Sequence, residues 1–172
     1  MLPKPIQQAL SRANIVQGDP TSTYGGMKDI ATVEEGSTDT ITVRDPSRFQ
    51  PQVKAHEATH LWQHGLPQSM QDQFPKTDTK NAYLDPANFL PSVAAMRAKG
   101  IKFENVPPEH QAELVQAYMM YHGDKESKAI LQPWMDDVTR LDNAAQLERL
   151  LHKPLLPSGK NLTALYNGQR SK

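Results

Sequence analysis

Two histidines and a glutamate stand in the order His56-Glu57-Ala58-Thr59-His60, an H-E-x-x-H arrangement. On an α-helix, residues four apart share a face one turn from each other, so both imidazoles can grip one zinc ion while Glu57 reaches a water beside it. The chemistry this permits is hydrolysis, in which a metal-polarised carbonyl is attacked by water and a carboxylate moves the proton. In a chain of 172 residues with 6 His, such a run arises by accident roughly once in a hundred chains, so its surroundings must add to it.

The chemistry requires the motif to lie inside a helix. Asp45-Pro46-Ser47 ends whatever precedes it, and Pro51 is tolerated only in a helix's first turn, where its missing N–H would be unpaired anyway. Gly65 suits a C-terminal cap and Pro67 prevents continuation, so the predicted helix runs from about residue 50 to about residue 64. Upstream, residues 5–12 read as a short helix. Residues 29–33 and 38–43 read as two strands around Glu34-Glu35-Gly36-Ser37, with Ile41 and Val43 on one face. Downstream, helices are predicted over 87–99, from Pro107-Pro108 to about His122, and over 130–151, with a short helical piece near 70–74. The fold class expected is α+β, mostly helical, with a small hairpin before the motif helix. Residues 1–153 are expected to form one domain, and 154–172 a polar, poorly ordered tail.

A catalytic zinc needs three protein ligands and an open position. His64 cannot be the third, because at 1.5 Å rise per residue it stands about 12 Å from His56 along the same helix. Nor is there a helix-breaking glycine at position 63, which is Gln. The segment Pro107-Pro108-Glu109-His110-Gln111-Ala112-Glu113 offers carboxylates instead. Glu109 and Glu113 sit four apart on one helical face, so one can bind the metal while the other hydrogen-bonds the outer nitrogen of a ligand histidine. Residue type and spacing leave both assignments open.

His56-Glu57-x-x-His60 with a later Glu-x-x-x-Glu helix resembles the gluzincin branch of zinc metallopeptidases. More narrowly, His-Glu-Ala-Thr-His-Leu-Trp-Gln with Glu-x-Gln-Ala-Glu resembles a group of small, largely uncharacterised bacterial zincin-like domains. The resemblance extends over roughly residues 1–122 in layout, and only the two motifs are specific. It implies a zincin-like fold, one bound Zn²⁺, Glu109 as third ligand, Glu113 as the acid supporting a ligand histidine, and Glu57 as general base of a metalloendopeptidase. Such domains often carry a further acid on the glutamate helix, where this chain has Ala117. His110 and Tyr118 are candidates to hydrogen-bond the transition-state oxyanion, as a His or Tyr does in related enzymes.

Composition narrows the partners. A formal net charge of zero gives no electrostatic reason to expect nucleic acid or an anionic membrane, and no stretch is long and apolar enough to span a bilayer. The expected partner is a peptide or protein substrate. A zinc-binding module without turnover, serving a larger assembly or acting as a delivered effector, is the alternative, and a plain helical interaction protein a third. Cysteine is absent, so His, Asp and Glu are the only strong ligands. The first residues lack a secretory signal pattern, which favours a cytoplasmic location or export by another route. The pocket that selects a substrate side chain falls to residues 24–43 and 68–103, which carry no motif.

Overall fold

A computed structural model describes residues 1–21, 30–76 and 86–151. The expected polar tail at 154–172, the domain boundary at 153 and parts of the two pocket segments lie outside the described residues. The rest is mostly helical, with a small three-stranded sheet.

Helix α1 (Lys4–Arg12) carries proline in its first turn and buries Ile6 and Ala9, which lie three apart on one face. Strands β1 (Asn14–Gln17), β2 (Ala31–Thr32) and β3 (Thr40–Val43) follow, in the spatial order β1-β3-β2. The expected hairpin is present, though shorter: β2 and β3 pair antiparallel, Ala31 opposite Val43 and Thr32 opposite Thr42. Gly36 lies in the connecting turn at φ 79°, a left-handed conformation that glycine adopts without a Cβ penalty. Ile41 and Val43 are buried, while Thr40 and Thr42 on the other face are half-buried. Strand β1 was not expected. It pairs in parallel with β3, Asn14 opposite Thr40 through Gln17 opposite Val43, and its side chains are largely exposed, so it has no alternating pattern to reveal it.

The motif helix is α2 (Pro51–His64), with Pro51 in its first turn and Gly65 as its C-cap. His64 ends it, its Nδ1 2.9 Å from the Ser37 carbonyl oxygen, which ties the helix to the hairpin turn. After a one-turn α3 (Gln68–Gln71) and a 3₁₀ turn (Pro86–Asn88) comes α4 (Phe89–Ala98), stopped near Gly100 at φ 78°. The glutamate helix α5 (Pro108–Met120) ends two residues short of His122. The last helix, α6 (Lys125–Leu151), begins five residues before Ile130. Asp124 caps it, accepting from the Glu126 and Ser127 backbone N–H groups at 3.2 and 3.3 Å.

Helix α2 packs most extensively on α5, and its other side meets α1. Leu61 is buried, and Trp62 packs edge-on to Phe103 and donates from Nε1 to Asp142 on α6 at 3.1 Å. With that side committed to the core, the histidine side of α2 is left facing the first turn of α5.

Candidate metal centre

Because α2 and α5 pack face to face, His56 and His60 meet Glu109 in the first turn of α5. His56 Nε2 lies 3.1 Å from Glu109 Oε1, His60 Nε2 lies 3.4 Å from Glu109 Oε2, and the two Nε2 atoms are 3.2 Å apart. Around a tetrahedral zinc with bonds of 2.0–2.2 Å, neighbouring ligand atoms stand about 3.3–3.5 Å apart. One separation, 3.4 Å, falls in that range and the other two, 3.1 and 3.2 Å, are slightly shorter, and the imidazoles face different oxygens of the one carboxylate. Among the described residues, this is the only place where three such side chains bring ligand atoms within 4.8 Å of one another. The side chains of His56, His60 and Glu109 keep 13%, 18% and 23% exposure, so the cluster opens to solvent on one side. A donor set of two neutral imidazoles and a carboxylate suits zinc with a fourth position free.

The imidazoles and the carboxylates around them shift one another's titration. Burial pulls the His56 pKa down, but the hydrogen bond and charge of Glu109, helped by Glu57 and Glu113, raise it above the ordinary 6.5. Burial likewise pushes Glu109 up, and the two imidazoles outweigh it, holding the carboxyl far below its ordinary range.

The other expected residues fall as follows. Glu57 follows His56 on α2, is only 6% exposed, and stands close enough for its charge to act on that ring. Glu113 is half-buried, is not one of the three converging ligands, and acts on His56 through its charge. It does not hydrogen-bond the outer nitrogen of His56, since Nδ1 of that ring has no hydrogen-bond partner among the described residues. His110 is 2% exposed and sits beside Glu109 without joining the cluster. Tyr118 lies nine residues beyond Glu109, about 13 Å along the helix axis. Its hydroxyl donates to Gln132 Oε1 on α6 at 2.7 Å.

Two residues that spacing did not bring forward border the site. His60 Nδ1 lies 2.9 Å from Gln63 Oε1, and Gln63 Nε2 donates to the Pro108 carbonyl at 3.0 Å and to Gln111 Oε1 at 2.8 Å. Gln111 Nε2 in turn donates to the Val106 carbonyl at 2.9 Å. Both amides are buried, at 3% and 0% exposure. The available signal was an amide three residues after a ligand histidine, on the same helical face.

Comparison with protein-family models, with curated proteins and with solved structures finds no match to this chain.

Proposed function

We propose that the chain is a zinc-dependent endopeptidase of the gluzincin type, in which His56, His60 and Glu109 hold one zinc ion and Glu57 is the general base. The observation that carries this reading is the meeting of both motif histidines with a carboxylate from a second helix at separations of 3.1–3.4 Å. A zinc ion bound there would polarise a peptide carbonyl and lower the pKa of a water toward about 7. Glu57 takes the proton of the attacking water and delivers it to the leaving amine, so that one water is consumed and one peptide bond is broken. Proton transfer of this kind is worth on the order of 10²–10⁴ in rate. Glu57 is buried beside the first motif histidine, at 6% exposure.

One observation favours the alternative of a zinc-binding module without turnover. The Tyr118 hydroxyl, engaged with Gln132, removes one of the two groups offered for oxyanion stabilisation.

Digestion of a peptide library by zinc-loaded protein, with Glu57→Gln as control, decides between the two. The peptidase reading expects chelator-sensitive cleavage that falls by about 10²–10⁴ in Glu57→Gln while zinc stoichiometry is unchanged. Bound zinc with no cleavage by either protein would establish the inactive module. Equal cleavage by both would remove Glu57 from the mechanism.

A further inference from the structure

The two ligand histidines are held differently, and the difference lies in the amides behind His60. The Pro108 and Val106 carbonyls can only accept hydrogen bonds. Gln63 Nε2, 3.0 Å from Pro108 O, is therefore the amide's nitrogen, and Gln63 Oε1 is the atom that faces His60 Nδ1 at 2.9 Å. The same logic fixes Gln111, whose Nε2 faces Val106 O at 2.9 Å and whose Oε1 accepts from Gln63. The orientation of each amide thus follows from backbone acceptors rather than from a choice between oxygen and nitrogen. An oxygen can only accept, so His60 Nδ1 must carry the proton. In the neutral ring the lone pair is then on Nε2, which points at His56 and Glu109.

We propose that Gln63, oriented by Gln111, is a positioning residue that locks His60 in the Nδ1–H tautomer and so presents its Nε2 lone pair to the metal. This deepens the metal reading above and rests on it for its consequence. Among the described residues His56 has no such partner at its buried Nδ1, while its Nε2 lies within hydrogen-bond reach of both Glu109 and His60. The lock uses acceptors at Val106 and Pro108, just ahead of Glu109, so one stretch of chain orients two of the three ligands.

Long-range ¹H–¹⁵N spectra of the histidine side chains in metal-free protein, recorded as the pH is raised until the ring shifts no longer change, read the tautomers directly. The expected result is Nδ1–H for His60. Gln63→Leu should abolish the Nδ1–H preference of His60 and weaken zinc binding, measured by competition with a chelating dye, by about 10–100-fold. Gln111→Leu should weaken it by less than about 10-fold, since Pro108 still orients Gln63. An Nε2–H tautomer at His60 in the wild type would overturn the proposal, as would unchanged tautomer and zinc affinity in Gln63→Leu. If that variant does not fold, the wild-type spectrum still decides. A wild-type protein that shows the His60 tautomer but binds no zinc would overturn the metal reading and leave the lock standing.

Discussion

Glu109 and Glu113 share a helical face, yet only Glu109 touches the imidazoles. Removing the charge of each should therefore have unequal effects: Glu109→Gln should lower zinc affinity by more than about 100-fold and Glu113→Gln by less than about 10-fold, as dye competition would measure. The metal-free cluster should also respond to pH with a definite sign. Glu109 has a depressed pKa, so its contribution to stability is present above its ordinary 4.5 and is lost as the pH falls toward the folded value. His56 has a raised pKa, so its contribution is complete below 6.5 and is lost as the pH rises through its folded value. Melting temperatures of chelator-treated protein should thus show this contact at its strongest between about pH 4.5 and 6.5 and weakening above, where zinc should restore stability because it no longer competes with protons. A flat profile in metal-free protein, insensitive to Glu109→Gln, would contradict the pairing. The meeting of His56 with His60 was legible because helical periodicity places residues four apart on one face. The choice between Glu109 and Glu113 was not, because a spacing of four places both on one side, and only the packing of α5 on α2 decides which makes contact. Gln63 was illegible for a related reason: its role depends on carbonyls more than forty residues away.

Prolines and a capping acid account for how well each helix could be read. Pro51, Pro107 and Pro108 mark helix starts, and α2 and α5 begin where those residues require. Helix α6 departs from expectation because Asp124 caps it early, which leaves Pro133 in its interior. There a proline removes a backbone hydrogen bond and crowds the carbonyl four residues before it. Pro133→Ala should therefore stabilise the protein by about 1–3 kcal/mol, visible as a higher midpoint in urea unfolding, with no effect on zinc binding. A loss of stability would contradict this. Strand β1 escaped the sequence because its four residues are mostly exposed and its partner β3 lies more than twenty residues on.

For the molecule as a whole, the α+β class was legible from one hairpin of short strands followed by segments with a 3.6-residue period, while the sheet's third strand required the fold. Among the described residues no helix is long and apolar enough to cross a membrane. A metal held between α2 and α5 joins two of the principal layers of the fold and should act as a staple. Zinc at about 100 times its dissociation constant adds about 2.7 kcal/mol, which corresponds to a rise of about 5–11 °C in melting temperature for a chain of this size. His60→Ala should remove that rise without removing the fold, because His60 is only partly buried and lines the open side of α2. The most direct test of the metal centre is an anomalous-scattering map at the zinc edge, from crystals of protein purified without a metal-affinity tag and supplied with zinc. The account predicts one strong peak bonded to His56 Nε2, His60 Nε2 and a Glu109 oxygen at about 2.0–2.2 Å. No peak between α2 and α5, or one ligated by Glu113 in place of Glu109, would contradict it.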